Sequence, residues 1–156
     1  MNYQLRKRTK EDVDEFITWS YDGEYSFYDN HIQEEKINGF LQSIDTDYFY
    51  SVMDDGGELI GNCEFFNVGD APEVVLAVGV QMKPSLTGKG NGLRFIQAII
   101  EQGRERIGYD HLELAVVDFN KRAMKVYEQA GFKRKGSFQN RIRGEKYHFI
   151  IMEKDW

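Results

Sequence analysis

Gly88, Gly90 and Gly92, in the stretch Met82-Lys-Pro-Ser-Leu-Thr-Gly-Lys-Gly-Asn-Gly92, are where chemistry can first be read from this chain. Glycines at this density leave main-chain N–H groups uncovered, so that several can converge on one anion. The apolar run Val74 to Val80 before them reads as a buried strand, and Leu93, Phe95, Ile96, Ile99 and Ile100 after them fall on one helical face. A strand-to-helix turn of this kind makes a pyrophosphate cradle, because the positive end of the helix adds to the attraction. A phosphate-bearing cofactor is therefore expected. Two familiar phosphate loops are excluded by spacing. A Walker-type loop needs Lys then Ser or Thr after its last glycine, whereas Asn91 follows Gly90 and Leu93 follows Gly92. A dinucleotide fingerprint needs glycines at its first, third and sixth positions and usually lies in a chain's first βαβ unit.

Other reactive residue types are sparse. Cys63 is the one cysteine, which excludes an intrachain disulfide and a thiolate metal cluster and makes a reducing cytoplasm the expected compartment. It lies beside Glu64, but no histidine has sequence support as its partner in an acyl-enzyme. His31, His111 and His148 lack metal-ligand spacing, so no metal is expected. A length of 156 residues suits one domain, residues 1–156, with a single core. No apolar run approaches a membrane span, and the N-terminus lacks the apolar stretch of a signal peptide. Neither a membrane nor a nucleic acid is an expected partner, since the net charge is −6 and no reader motif is present.

The elements that must position the cradle follow from periodicity and breakers. Tyr3 to Thr9 alternates as a strand, and Thr9 with Asp12 is spaced like an acidic capping box opening a helix with Val13, Phe16, Ile17 and Trp19. A second helix is expected over Gln33 to Ile44. Strands at Tyr48 to Met53 and Glu58 to Val68 flank the hairpin signal Asp54-Asp55-Gly56-Gly57. A loop from Asn67 to Glu73 leads to a strand over Val74 to Met82. After the cradle come a helix to about Ile107, a strand at His111 to Val117, and a helix from Lys121 to Ala130 capped by Gly131. Strands around Phe132 to Phe138 and Tyr147 to Lys154 close the chain. This order predicts an α/β (α+β) domain built on a mixed sheet with helices on both faces.

Two motifs carry a family resemblance. The cradle resembles the acetyl-CoA loop of the GNAT N-acetyltransferase superfamily, Gln/Arg-x-x-Gly-x-Gly/Ala, with Thr87, Gly90 and Gly92 at its specified positions. Met82 and Pro84 match the family's Val-x-Pro, with Met for Val. The stretch Leu112-Glu-Leu-Ala-Val-Val-Asp-Phe-Asn-Lys-Arg-Ala-Met-Lys-Val-Tyr-Glu-Gln-Ala-Gly-Phe132 resembles the family's second signature at every specified position. The resemblance implies a GNAT-type acyl-CoA N-acyltransferase fold that uses acetyl-CoA. It implies pantetheine held by the main chain near Val80 and Met82, and phosphates met by Thr87, Gly88, Lys89, Gly90, Asn91 and Gly92. Asn120 would contact the pantetheine arm while capping its helix, with Lys121 and Arg122 beside it. Tyr127 would protonate the CoA thiolate, and Glu64, Glu73 or Asp118 would be the general base, Glu64 and Asp118 ranking first. Thr87 departs from the family's Gln or Arg and lacks its long polar arm, although a hydroxyl can still donate to phosphate.

The acceptor is less defined. Fourteen acids against Lys36 alone occupy Glu11 to Glu58, while nine Lys or Arg and two acids occupy Lys121 to Lys146. Such polarity would bring phosphates to the basic side and a cationic amine to the acidic one. Tyr25, Phe27 and Tyr28, set among Asp22, Glu24 and Asp29, are expected to form a substrate wall with cation–π capability. The C-terminal hairpin resembles the ending of transferases acting on protein N-termini, polyamines or aminoglycosides. The expected function is acetyl transfer to a primary amine, either a small polyamine or aminoglycoside-like molecule or a peptide N-terminus. A non-catalytic acyl-CoA sensor is the alternative. The oligomeric state stays open, a homodimer included.

Overall fold

A computed structural model describes residues 2–30 and 34–156. His31 and Gln33, the expected first residue of the second helix, lie outside the described residues. Seven strands form one sheet in the order β1-β2-β3-β4-β5-β7-β6. They are β1 (Gln4–Lys7), β2 (Phe49–Met53), β3 (Leu59–Asn67), β4 (Leu76–Met82), β5 (His111–Val117), β6 (Lys133–Ile142) and β7 (Glu145–Asp155). Every neighbouring pair is antiparallel except β4 and β5. That parallel pair is in register only at Ala77 and Glu113, and beyond this point the two strands part.

Helices α3 (Gly92–Ile107) and α4 (Lys121–Gln129) cover one face. Phe95, Ile96, Ile99 and Ile100 of α3 pack with Val78, Leu112, Leu114 and Met152 of the sheet, and Met124 joins them from α4. Helices α1 (Lys10–Thr18) and α2 (Glu34–Gln42) lie together over a smaller cluster of Val13, Phe16, Trp19 and Phe40. Val13 and Phe16 are wholly buried, and each such side chain contributes roughly 1.5–3 kcal/mol relative to an exposed one. Thr9 and Asp12 form the reciprocal capping box expected at the start of α1. Arg8, buried between the layers, donates to Tyr50 O, Cys63 O and Ser43 Oγ. Its guanidinium lies against the rings of Phe16, Phe40 and Phe49.

Two boundaries differ from the sequence reading for local reasons. β4 starts at Leu76 rather than Val74, because Asn67 Oδ1 accepts the N–H groups of Gly69 and Val75 and so replaces the ladder with a turn. Val74 is left 67% exposed. The last hairpin is longer than expected, since Gln139 to Ile142 pair with Glu145 to His148 despite their polar, loop-like composition. Arg143 (φ 53°) and Gly144 (φ 80°) form its two-residue turn, the positive-φ geometry that matches strand twist.

Candidate active site

The parting of β4 and β5 opens a cavity of about 540 Å³ between the helical layers. In an antiparallel ladder a residue's N–H and C=O point to the same side. Lys83 N–H bonds to Ile60 O across β3, so Val78, Val80 and Met82 turn their main chain toward the gap. Val80 and Met82, singled out from the sequence, therefore line the cavity with strand edge that β5 does not pair. The Met82 carbonyl already accepts from Tyr21 Oη at 2.6 Å.

Thr87, Gly88, Gly90 and Gly92 line one end of the cavity; Lys89 and Asn91 do not. Gly88 (φ 71°) and Gly90 (φ 82°) adopt the left-handed backbone that favours glycine. Asn91 makes no side-chain cap at the start of α3, giving its Nδ2 instead to Leu86 O, so the first N–H groups of a sixteen-residue helix stay open toward the turn. The Thr87 hydroxyl is not the phosphate donor expected of it, since its proton goes to Pro84 O at 2.8 Å. Arg122 lines the same end of the cavity and brings a charge to the turn. Its Nη1 stands 2.8 Å from where a Cβ on Gly88 would be, and its guanidinium lies 4.7 Å from the Tyr25 ring centroid. Arg122→Met should therefore weaken acetyl-CoA binding about twofold to fivefold by calorimetry, the upper part of the range for a solvent-accessible charged contact. Unchanged affinity would return Arg122 to the role of a solvated neighbour of Tyr25.

At the middle of the cavity, Asn120 caps α4 through Ala123 N–H and donates its Nδ2 to Tyr28 Oη at 3.0 Å. Tyr127 lines the same wall, and its hydroxyl makes no hydrogen bond among the described residues. Burial, with a smaller contribution from the Tyr28 phenol, pushes the Tyr127 phenol above its ordinary value. The group thus stays protonated at neutral pH. Tyr28 is raised likewise by burial, against the opposing hydrogen bond from Asn120.

Tyr25 and Tyr28 line the cavity from the 3-10 helix Gly23–Tyr28, whereas Phe27 packs behind that wall against Tyr147, Tyr28 and Phe119. Tyr21, Gln81 and Asn30 were not legible as site residues. Gln81 Nε2 donates to Tyr28 O and Asn30 Oδ1, and its Oε1 accepts from Asn30 and Asn62. Gln81 is the single polar side chain in the run Val74 to Met82, and that interruption is the signal that points to it. Asp29 accepts Tyr21 N–H at 2.7 Å, which fixes its carboxylate against the segment that leads into the 3-10 helix.

Of the candidate bases, Glu64 lies on the face opposite α3, with its carboxylate 3.4 Å from where a Cβ on cavity-lining Gly79 would be. Asp118 lies outside the lining, at the end of β5 where its N–H bonds to His148 O. Glu73 sits exposed before β4, away from the gap. Burial pushes the Cys63 thiol up to about 12, which removes its nucleophilic form at neutral pH.

At the far end of β5, the ligand atoms of His111, Glu113 and Glu153 come within 4.8 Å of one another. Lys135 Nζ already stands 2.5 Å from Glu113, supplying a cation there. Hydrogen bonds to Glu113 and then Asp155 raise the His111 imidazole above 6.5. The folded state thus favours imidazolium, a contribution fully present below the unfolded value and lost as pH rises through the raised one. Thermal unfolding should show this alkaline decline in the parent and a flatter profile in His111→Asn. Parallel profiles would leave the imidazole without a stabilising charge.

Known proteins share this fold. A spermidine N-acetyltransferase chimera from Vibrio cholerae and hSSAT superposes with a TM-score of 0.80 at 18% identity, covering 99% of this chain and 96% of that one. A phosphinothricin acetyltransferase from Sinorhizobium meliloti in complex with AcCoA gives 0.74 at 14% identity, over 99% and 89%. An uncharacterized N-acetyltransferase of Methanocaldococcus jannaschii is 28% identical over 142 residues, 85% of this chain, which spans 62% of that protein's length. The acetyltransferase (GNAT) family model matches residues 9–132, and the chain belongs to that family.

Proposed function

We propose that the chain is an acetyl-CoA-dependent N-acetyltransferase acting on a primary amine by direct attack. One observation carries this reading: the cavity between β4 and β5 joins a glycine turn at one end to Asn120, Tyr28 and Tyr127 in its middle. Its volume lies within the range of small-ligand sites. Acetyl-CoA, when bound, supplies an acetyl group activated as a thioester. Gly88, Gly90 and the open start of α3 offer N–H groups to the pyrophosphate, and Arg122 offers a charge. The exposed edge of β4 at Val80 and Met82 receives the amide arm beside Asn120. Tyr127, protonated at neutral pH, gives its proton to the departing sulfur. Glu64, beside Gly79, takes the amine's proton directly or through water, a position that Asp118 does not share.

The acceptor is a small amine or a peptide N-terminus, and the first is supported by a polyamine acetyltransferase among the similar folds. No metal takes part, and a reducing cytoplasm suits the lone thiol of Cys63. The test is thiol release from acetyl-CoA with a panel of primary amines. Amine-dependent release is expected. Calorimetric binding of acetyl-CoA with no release from any amine would instead make the chain a non-catalytic acyl-CoA sensor.

A further inference from the structure

We infer that the acceptor end of the cavity holds a carboxylate, so that the preferred substrate is an amino acid, presenting its amine to the thioester and its acid group to Lys36 and Arg143. This rests on the N-acetyltransferase reading and narrows its acceptor. Lys36 Nζ donates to Tyr28 O at 3.1 Å, and Arg143 Nη2 donates to Phe27 O at 3.3 Å. Two cations from distant parts of the chain thus converge on consecutive carbonyls of the 3-10 helix whose Tyr28 lines the cavity. Tyr28 O also accepts from Gln81, which lines the cavity from β4. Neither cation lines the cavity itself; both stand behind the Tyr28 segment, and Lys36 is near enough to Glu64, which lies over cavity-lining Gly79, to feel its charge.

Neither cation forms an ion pair within 4.0 Å among the described residues. An ammonium has three donors and a guanidinium five, and these carbonyl contacts use one of each. Burial, and after it the repulsion of Arg143, lowers the Lys36 ammonium to about 8 against the opposing pull of Glu64 and Asp29. Asp29 is engaged by Tyr21 N–H, and Glu64 lies over Gly79. An incoming carboxylate would relieve that repulsion and accept charge-assisted hydrogen bonds from both groups. A polyamine would place a further ammonium against the same two cations, which is unfavourable. The acidic stretch Glu11 to Glu58 thus presents its one cation, Lys36, at this place.

The experiment compares kcat/KM by thiol release for a set of amino acids, the carboxamide of each, and spermidine. The α-amine of a carboxamide is the weaker base and more of it is neutral, so intrinsic reactivity favours the amide. A preference for the acid would therefore report recognition. The acid should exceed its amide about tenfold or more, the scale of a charged hydrogen bond. Lys36→Met and Arg143→Gln should each reduce that ratio about tenfold, chiefly through KM, and Arg143→Gln at an exposed hairpin tip preserves the test should Lys36→Met misfold. An acid no better than its amide, spermidine as the best acceptor, or a ratio unaltered in folded variants would overturn the inference while leaving the N-acetyltransferase reading intact. Failure of every amine to release thiol would overturn both.

Discussion

Tyr127→Phe should turn over roughly 10²–10⁴-fold more slowly than the parent, the usual worth of a positioned general acid. The ring stays and only the hydroxyl leaves, so its packing against Phe132 is kept and the fold should be retained. Acetyl-CoA affinity, measured by calorimetry, should move within about threefold, because that phenol makes no hydrogen bond among the described residues and does not organise the wall. The separation between a large loss of turnover and a small loss of binding is the signature of a group acting on the leaving sulfur. A loss of turnover within threefold would make Tyr127 structural. Tyr28→Phe is the informative companion, since Tyr28 lines the same cavity while Asn120 donates to its oxygen.

Gly90→Val should lower acetyl-CoA affinity between about tenfold and a hundredfold. A Cβ at Gly90 meets nothing within 4 Å, so no steric clash inside the protein opposes the change. The effect comes from φ 82°, where a β-branched residue is strained by about 1–3 kcal/mol, and from side-chain bulk at a turn that must admit phosphate. The loop would rotate to relieve that strain and would withdraw its N–H groups from a common focus. Circular dichroism and thermal unfolding establish that the variant is folded before calorimetry is interpreted. Parent-like affinity in a folded Gly90→Val protein would remove the cradle from the cofactor site.

Local chemistry explains which parts could be read ahead of the structure. The capping box at Thr9 and Asp12, the hairpin at Asp54 to Gly57 and the bounds of β5 at His111 and Val117 follow from residues within a few positions of one another. The glycine turn and the Asn120 cap were legible for the same reason. What could not be read depends on partners far apart in the chain. Tyr21 meets Met82 and Asn30 meets Gln81 from segments without periodicity that fixes direction, while Arg122, at the start of α4, meets Gly88 from a distant part of the chain. Aromatic residues at adjacent positions likewise diverge. Tyr28 faces the cavity while Phe27 turns to Tyr147, because a tight 3-10 turn sends successive side chains to different sides. Thr87 shows the opposite limit: its type was compatible with donation to phosphate, but the nearby Pro84 carbonyl claims its proton.

The turn at Arg143 and Gly144 sets fold robustness against selectivity. Arginine holds a left-handed backbone there, about 1–2 kcal/mol less comfortable than glycine, while Asn or Gly is what such a turn prefers. Neutral drift at this position would therefore run toward a sturdier hairpin without a guanidinium. A lineage that kept Arg143 would be one in which acceptor choice was under selection, and one that lost it would gain thermal margin as a less discriminating catalyst.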